Sequence, residues 1–227
     1  MKTASKTKSA RARKKIYVVE DHPTFRQGLI QILGSETHLT VCGAAGTADQ
    51  AFPAIVRTKP DLVLVDISLP GKSGLDLIKE IRSVDRTVKL LVISMHDEAL
   101  YAARVLRAGG DGYIMKQEDP DEIVQAIRDV LDGHIYVSEE VLESTRGGGP
   151  SRRSDEITRP LDQLTDSELE VLELLGRGKS SREIAGKLHL SERSVAAARS
   201  QLRGKLSLKN AQALLRYAVC WVESEGG

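Results

Sequence analysis

Short, mostly apolar runs alternate with longer amphipathic stretches over the first 137 residues of the chain. The runs occupy residues 16–20, 39–45, 61–66, 89–94 and 111–115. Their length and continuity indicate strands buried on both faces, and the stretches around them carry apolar residues at the three- and four-residue spacing of helices. Five strands alternating with five helices predict an α/β doubly wound domain built on a five-stranded parallel sheet.

A different pattern follows and divides the chain. Residues 143–160, ESTRGGGPSRRSDEITRP, hold hardly an apolar residue, which is typical of a linker. Residues 161–227 contain only helical patterns. We therefore predict a basic disordered tail at 1–14, the α/β domain at 15–137, a linker at 138–160 and a small all-α four-helix domain at 161–227.

The all-α part carries the signals of a helix-turn-helix. Thr165-x-x-Glu168 and Ser180-x-x-Glu183 are capping boxes that begin two helices, and a tight turn at 189–190 precedes a third. A short helix, a turn and a longer helix in this order place the second helix in the major groove of DNA. Apolar residues inside these helices predict the core of the domain: Leu172, Leu175, Ile184, Ala185, Leu188, Val195, Leu202 and Leu206.

The composition favours a cytoplasmic protein without disulfide bonds or structural zinc. Hydrophobic residues make up 41% of the chain and charged residues 29%, which is a globular balance. Cys42 and Cys220 lie far apart, which fits a reducing compartment. No apolar stretch approaches the roughly 20 residues of a membrane helix and the N-terminus has no signal-peptide core, so we expect no membrane association.

The net charge of +1 is unevenly distributed. Residues 1–15 hold seven Lys/Arg and no acid, residues 16–137 carry 12 basic and 18 acidic side chains, and residues 161–227 have a net charge of +1. The basic segment has two interpretations, a disordered solubilising tail or a loose contact with nucleic-acid phosphates. A charge of +1 is weak for a DNA-binding domain, and the basic tail could compensate.

Polar side chains follow directly after several predicted strands. The first strand ends in Glu20-Asp21, the third in Asp66, the fourth in Ser94, and the fifth leads to Lys116. The carboxyl ends of parallel strands meet at one edge, where open α/β sheets bind ligands. Neighbouring carboxylates there need a cation, and oxygen ligands suit Mg²⁺. Beside such an ion Asp66 can attack phosphorus, while Ser94 and Lys116 hold the phosphoryl oxygens.

The segments IYVVEDH, LVLVDISLPGKSG, VISMH and GYIMK resemble, in this order, the receiver domain of two-component response regulators over residues 15–135. The resemblance implies the flavodoxin-like strand order 2-1-3-4-5 and a phosphoryl group that Asp66 accepts from a sensor histidine kinase. It also implies that Mg²⁺ is bound by Glu20, Asp21, Asp66 and the backbone carbonyl of Ser68. Such a receiver assists its own phosphorylation and dephosphorylation and is not an enzyme in the turnover sense.

The same resemblance implies a switch made of Ser94, Tyr113 and Lys116. Phosphorylation is expected to draw Ser94 and Lys116 inward and to move Tyr113 toward a buried rotamer. His96 follows Ser94 closely in the sequence. We expect His96 to be a loop-exposed histidine without a catalytic role.

The segment LTDSELEVLELLGRGKSSREIAGKLHLSERSV resembles the LuxR-like DNA-binding domain of NarL/FixJ-type response regulators. The implied partners are double-stranded DNA and, on phosphorylation, a second copy of the chain. The expected DNA contacts are Ser180, Ser181, Arg193, Ala196, Ala197, Arg199, Ser200, Gln201 and Lys209. The last helix is expected to support dimerisation, or alternatively to pack on its own domain, through Ala213, Leu214, Tyr217 and Trp221.

The predicted recognition helix departs from the family pattern, because Ala196, Ala197 and Ala198 stand where a basic or polar group is common. Alanines offer methyl contacts to thymine and no hydrogen bonds to base edges, so Arg and Lys contacts to phosphates would carry much of the binding. If those cations form only a solvated face, the chain acts mainly through protein contacts, with weak or non-specific DNA binding. A phosphatase with an aspartyl intermediate is a third possibility, but it would need a general acid where Ser68 stands.

Overall fold

The computed structural model describes residues 13–139, 141–142, 161 and 163–225, so most of the predicted tail (1–14) and linker (138–160) lies outside it. The described residues form five strands and nine helices. The strands are β1 (Lys14–Val19), β2 (Leu39–Ala45), β3 (Leu62–Val65), β4 (Lys89–Ser94) and β5 (Gly112–Met115). The first five helices are α1 (Pro23–Ser35), α2 (Ala48–Thr58), α3 (Gly74–Val84), α4 (Glu98–Ala108) and α5 (Pro120–Leu131). The last four are α6 (Asp166–Gly176), α7 (Ser181–Lys187), α8 (Glu192–Lys205) and α9 (Ala211–Glu225).

The five strands form one parallel sheet in the order β2-β1-β3-β4-β5. This confirms the predicted fold class and strand order. In β1, Ile16 and Val18 belong to the apolar cluster on one face of the sheet, while Tyr17 and Val19 belong to the cluster on the other, because side chains alternate along a strand. Helices cover both faces, which explains why all four residues of β3 are apolar and buried.

The two faces of the sheet differ in what covers them. On one face α1 and α5 contribute Leu29, Leu33, Ile123 and Ile127 to a cluster that is limited to the α/β domain. On the other face α2, α3 and α4 pack on the sheet, and their cluster continues into the helical domain. The second domain is therefore joined to this face by apolar contact.

The helical domain begins its helices where the sequence predicts them. Both capping boxes, Thr165 with Glu168 and Ser180 with Glu183, are formed. Seven of the eight predicted core residues are buried and Leu206 is partly buried, so the predicted core is confirmed. Among the residues described, no helix has both the length and the apolar character needed to cross a membrane.

Arg104 of α4 fastens the start of α6 to the α/β domain. Its Nη1 donates to the carbonyl of Leu164 (2.9 Å) and to Asp166 Oδ1 (3.2 Å), and its Nη2 donates to the carbonyl of Leu161 (2.5 Å). Lys79 of α3 lies 3.4 Å from Asp166 Oδ2. These contacts anchor the N-terminal end of α6, and side chains further along the same helix reach the carboxyl edge of the sheet.

Candidate functional site

Asp66 stands immediately after β3, among the polar side chains predicted to meet there. Its backbone N–H donates to the last carbonyl of β1 at 2.9 Å, which aligns it with Glu20 and Asp21. On the other side, the backbone N–H of Lys116 donates to the carbonyl of Ser94 at 2.8 Å. Four neighbouring strands therefore bring these five residues to one edge of the sheet.

The loop after Asp66 is shaped by glycine at position 74. A Cβ atom at Gly74 would overlap with the backbone carbonyl of Asp66, so a larger residue does not fit there without a shift. The N–H of Gly74 donates to the carbonyl of Ile67 at 2.8 Å, and Ser73 caps α3 by accepting from the N–H of Asp76. The Leu-Pro-Gly-Lys-Ser-Gly segment thus folds tightly back behind the carboxylate.

Lys116 lies between two buried carboxylates. Its Nζ is 2.8 Å from Asp66 Oδ2 and 2.7 Å from Glu20 Oε2, and Asp66 is only 1% exposed. Burial and the negative charge of Asp66 raise the pKa of Glu20. Burial by itself would lower the pKa of Lys116, but the charge of Asp66 and the bonds to both carboxylates outweigh it and raise that pKa. The lysine is therefore held in its charged form.

The acidic side chains around Asp66 form a cluster with the character of a cation site. Ligand atoms of Glu20, Asp21, His22 and Asp66 lie within 4.8 Å of one another. Three carboxylates beside one lysine leave an excess of negative charge that a divalent cation would neutralise. Carboxylate oxygens suit Mg²⁺, and the side chain of Asp21 is 11% exposed. The residues present fit this ion.

Two neighbours complete the cluster. The backbone N–H of Ser68 donates to Asp66 Oδ1 at 3.3 Å, which brings the loop to the site, while the metal contact of the Ser68 carbonyl stays a prediction. His22 was not predicted as a site residue, and its Nδ1 lies 2.7 Å from Asp21 Oδ1. Its position directly after the acidic pair is the sequence signal that could have found it.

The predicted switch residues Ser94 and Tyr113 both contact the backbone of His96. Tyr113 Oη donates to the His96 carbonyl at 2.7 Å, and the His96 N–H donates to Ser94 Oγ at 3.2 Å. Tyr113 is only 1% exposed, and burial raises its pKa. In this conformation the ring of Tyr113 is already buried and its hydroxyl is bonded, while the expected shift of Tyr113 on phosphorylation stays a prediction.

The side chain of His96 also contradicts its expected exposure, since the residue is only 6% exposed. Its Nε2 lies 2.7 Å from Ser68 Oγ, and its Nδ1 lies 2.7 Å from Glu173 Oε2. Burial would raise the pKa of Glu173, but the bond from His96 and the nearby positive charges together outweigh it and hold that pKa below its usual range. Because Glu173 belongs to α6, the expectation failed for a simple reason: the helical domain covers this loop.

Two further side chains of the helical domain reach the same edge. Glu170 of α6 is 6% exposed and accepts from Ser68 Oγ at 3.4 Å, and burial is the main cause that raises its pKa to about 7. His189, in the turn between α7 and α8, places Nε2 3.3 Å from Asp21 Oδ2. Sequence reasoning missed Glu170, Glu173 and His189, because acidic residues on an amphipathic helix and a polar residue in a turn look like ordinary surface positions.

The predicted DNA-contact residues divide into two groups. Arg199 is half-buried, and its Nη1 donates to Ser181 Oγ at 2.6 Å. Ser180 caps α7, because its hydroxyl accepts from the backbone N–H of Glu183. These three predicted residues are engaged within the domain. The other six are exposed: Arg193, Ala196, Ala197, Ser200, Gln201 and Lys209.

The predicted dimerisation stripe on α9 is divided in the same way. Leu214 and Trp221 are buried in the core of their own domain, which is the alternative that the sequence left open for this stripe. Ala213 and Tyr217 are partly exposed. A dimer contact through α9 stays a prediction, and of the four predicted residues only Ala213 and Tyr217 are open enough to take part in it.

Both parts of the chain match known families. Residues 16–128 match the response regulator receiver domain, and residues 162–218 match the bacterial regulatory proteins of the luxR family. The first match contains Asp66 and all the residues assigned above to the acidic cluster and the switch. The second contains the helix-turn-helix and most of α9.

Relatives extend this similarity over nearly the whole chain. The oxygen regulatory protein NreC of Staphylococcus aureus is 33% identical over 209 residues, which cover 90% of this chain and 96% of NreC. A LuxR-family two-component response regulator from Aurantimonas sp. SI85-9A1 is 31% identical with a TM-score of 0.55, over 59% of this chain and 96% of that structure. A third relative is RcsB of Salmonella enterica serovar Typhimurium, whose structure was determined bound to the promoter rprA in the presence of the phosphomimetic BeF3⁻. RcsB is 22% identical with a TM-score of 0.57, over 91% of this chain and 98% of RcsB. At this identity the similarity shows the fold alone. The chain belongs to the two-component response regulators of the NarL type, in which a receiver domain is followed by a LuxR-type helix-turn-helix domain.

Proposed function

We propose that this response regulator controls transcription from the cytoplasm through phosphorylation of Asp66, with a sensor histidine kinase as the donor. The single observation that carries the proposal is the environment of Asp66. The carboxylate is buried, bonded to Lys116 at 2.8 Å, and adjacent to the acidic pair Glu20-Asp21. An acidic pair beside a buried carboxylate repels it and destabilises the fold. A carboxylate with a purely structural role would gain nothing from such neighbours.

In the proposed transfer an oxygen of Asp66 forms a bond to phosphorus while the bond between phosphorus and the histidine nitrogen of the donor breaks. The released imidazole takes up a proton, and no electrons are gained or lost. Lys116 and the hydroxyl of Ser94 lie on the β4–β5 side of Asp66, where they would hold the phosphoryl oxygens as negative charge develops. Lys116 would then exchange part of its contact with Asp66 for contact with the phosphoryl group.

The cation proposed for this site is Mg²⁺. Glu20, Asp21 and Asp66 would hold it, together with the backbone carbonyl of Ser68. When bound, the ion would neutralise the carboxylates and the incoming phosphoryl oxygens, which is the role that Mg²⁺ commonly has in phosphoryl transfer. The close contact of His22 Nδ1 with Asp21 Oδ1 (2.7 Å) would help to hold this carboxylate in the cluster.

Phosphorylation is proposed to favour a dimer that binds two half-sites about one helical turn of DNA, or a multiple of it, apart. RcsB, a relative in fold, was determined on promoter DNA in the presence of a phosphomimetic, and we extend this combination to the phosphorylated state of this chain. Two exposed cations flank the recognition face of α8, Arg193 at its start and Lys209 beyond its end. In the proposed complex they would contact phosphates on either side of the groove.

The test of the phosphoacceptor is labelling of the full-length protein by acetyl phosphate with Mg²⁺, followed by intact mass. We expect one phosphoryl group on the wild type and none on Asp66→Asn, while the remote variant Asp61→Asn, at the amino end of β3, is labelled normally. Labelling of Asp66→Asn at the wild-type rate would refute the assignment. Omission of Mg²⁺ should abolish labelling in every variant.

A second candidate function is favoured by the alanines on the recognition face. If Ala196 and Ala197 leave too few contacts for specific binding, the protein acts mainly through protein contacts. Selection of DNA sites from a random pool, with and without acetyl phosphate, separates the two functions. Enrichment of a defined motif supports a specific DNA-binding regulator, and enrichment of none supports the alternative.

A further inference from the structure

The ammonium group of Lys116 lies against an aromatic ring as well as between two carboxylates. Its Nζ is 5.1 Å from the centre of the Phe25 ring, within the roughly 6 Å over which the face of an aromatic ring attracts a cation. The side chain of Lys116 is only 6% exposed, so the ring stands where water would otherwise solvate the charge. Phe25 was not among the residues that the sequence predicted for this site.

We propose that Phe25 is a positioning residue for the phosphorylation of Asp66, and that it acts through the aromatic face it presents to Lys116. The inference rests on the proposed function, because it presupposes that Asp66 accepts the phosphoryl group and that Lys116 holds the phosphoryl oxygens. The ring need not touch the phosphoryl group, since its effect is on the lysine.

The hydrogen-bond donors of the lysine supply the first argument. A lysine has three N–H donors, and Nζ of Lys116 lies 2.7 Å from Glu20 Oε2 and 2.8 Å from Asp66 Oδ2. Two donors are therefore used in this state and one is left for a phosphoryl oxygen. The attraction between a cation and a ring is electrostatic and needs no oxygen acceptor, whereas a carboxylate in place of the ring would compete for the third donor. Phe25 thus stabilises the cation and leaves its donors to the reacting groups.

The loss of water around Lys116 supplies the second argument. Burial by itself opposes the charge of this lysine, and an aliphatic side chain at position 25 would offer no electrostatic compensation. Water would then solvate Nζ before transfer and would have to leave when a phosphoryl oxygen arrives. The ring offsets this loss in advance, and polar groups that are already oriented lower a barrier more than groups that must first reorganise.

The fixed position of α1 supplies the third argument. Phe25 is the third residue of this helix, and the next residue, Arg26, donates through Nη1 to the backbone carbonyls of Glu20 and Asp21, the latter at 3.2 Å. Phe25 also packs against the apolar cluster that α1 and α5 share. The start of α1 is therefore tied to the acidic pair, and the ring has a defined place beside Lys116.

The experiment measures the second-order rate constant for labelling of the full-length protein by acetyl phosphate at saturating Mg²⁺. Phe25→Leu keeps an apolar side chain and removes the aromatic face. It should lower the rate constant about fivefold, which corresponds to about 1 kcal/mol and lies within the range of a cation–π contact. Phe25→Tyr keeps the aromatic face and should retain the wild-type rate constant within twofold.

The matched control is Phe52→Leu. Phe52 is the other of the two phenylalanines in the chain, and it is likewise partly buried on a helix, α2, remote from Lys116. Phe52→Leu should lower the thermal stability about as much as Phe25→Leu does, and it should keep the wild-type rate constant. A loss of rate that merely follows a loss of stability would appear in both variants.

Fluorinated phenylalanines at position 25 separate the aromatic face from the volume of the ring. Each added fluorine weakens the attraction of the ring for a cation and changes the shape of the ring little. The rate constant should therefore fall steadily from phenylalanine to its trifluoro and pentafluoro derivatives. A structural role of Phe25 alone would give the same rate constant throughout this series.

Binding of beryllofluoride gives a readout that does not depend on breaking a bond in the donor. In the presence of Mg²⁺ the affinity of Phe25→Leu for beryllofluoride should fall about fivefold, in parallel with the labelling rate. The affinity for Mg²⁺ alone should stay within twofold of the wild type, because none of the proposed metal ligands is changed.

Failure of the inference differs from failure of the proposed function. If the wild type is not labelled on Asp66, the proposed function itself fails. If the wild type is labelled and Phe25→Leu reacts at the same rate, only the inference is overturned. Equal rates across the fluorinated series, or equal losses of rate in Phe25→Leu and Phe52→Leu, would also overturn it. So would a fivefold loss of Mg²⁺ affinity in Phe25→Leu, because Phe25 would then shape the acidic cluster and not the lysine.

Discussion

His96 Nδ1 lies 2.7 Å from Glu173 Oε2, and this bond joins the loop after β4 to the first helix of the DNA-binding domain. Both residues are buried, and His96 Nε2 continues the contact to Ser68 Oγ beside the candidate phosphoacceptor. The loop after Asp66 and the helical domain are therefore connected through the side chain of His96.

Replacement of His96 by alanine should uncouple the two domains. The change leaves the buried Glu173 paired with Arg177, and loss of a hydrogen bond to a charged group costs about 1.5–3 kcal/mol. Differential scanning calorimetry should show one transition for the wild type and two separate transitions for His96→Ala. The control is His38→Ala, at the far edge of the sheet, which should keep a single transition. Two identical profiles would show that this bond contributes little to docking.

Asp21 should contribute more to Mg²⁺ affinity than Glu20. Glu20 is fully buried and already bonded to Lys116, whereas Asp21 is more open and faces the cluster. Asp21→Ala should weaken Mg²⁺ binding about 10- to 100-fold, the range seen when groups around a metal are removed, and Glu20→Ala should weaken it less. Isothermal titration with MgCl₂ measures both. The opposite ranking would place the ion deeper, between Glu20 and Asp66.

Removal of Lys116 should make folding of the receiver depend on Mg²⁺. Lys116→Ala leaves Glu20 and Asp66 buried without their common cation, and loss of one partner of a buried pair costs about 3–5 kcal/mol. Thermal denaturation should show this loss without Mg²⁺ and partial recovery with it. Lys89→Ala is the matched control, because Lys89 pairs with the half-exposed Asp111 and such pairs contribute about 1 kcal/mol or less. A loss that Mg²⁺ does not reduce would count against a cation site among these carboxylates.

Glu168 should stabilise the DNA-binding domain only above acidic pH. Burial would raise the pKa of Glu168, but bonds from Lys205 (2.5 Å) and Thr165 outweigh it and hold the pKa below the ordinary 4.5. For a lowered carboxyl pKa, the stabilisation is present above the ordinary value and is lost as pH falls through the lowered one.

Glu168→Gln tests this expectation. The variant should lose about 1 kcal/mol at pH 7, as is typical for a capping residue, and the difference from the wild type should shrink as the pH falls below 4.5. Chemical denaturation at a series of pH values measures it. A constant difference at all pH values would mean that the packing of Glu168, and not its charge, stabilises the domain.

Arg193 should contribute to DNA binding through phosphates and not through bases. Arg193 is exposed at the start of α8, beside the alanines of the recognition face. Arg193→Ala should weaken binding to all sequences about equally and reduce the salt slope by about 1, whereas Ser200→Ala should change little. Affinity measured at several salt concentrations on two unrelated DNA sites decides this. A loss confined to one site would show that Arg193 contacts a base.

The elements of the fold were predictable because each is encoded by residues close together in sequence. The buried strands appear as continuous apolar runs since both faces of the sheet are covered, and the capping boxes at Thr165 and Ser180 mark helix starts through bonds only three residues apart. The polar edge was predictable for a related reason. The carboxyl ends of parallel strands lie at one edge of the sheet, whatever the sequence of the connecting segments. Once the strands were assigned, Asp66, Ser94 and Lys116 were therefore expected at the same edge.

The contact between the domains was not predictable in this way. His96 and Glu173 are 77 positions apart, and nothing in the local pattern around either residue distinguishes it from a surface side chain. Tyr113 was expected to reach a buried rotamer on phosphorylation and is already buried, and Arg199 was expected to contact DNA and is bonded to Ser181. Local periodicity determines which residues form strands, helices and a polar edge, because those choices depend on near neighbours. Which polar side chains are buried depends on how α6 packs against the receiver, and only the tertiary structure decides that.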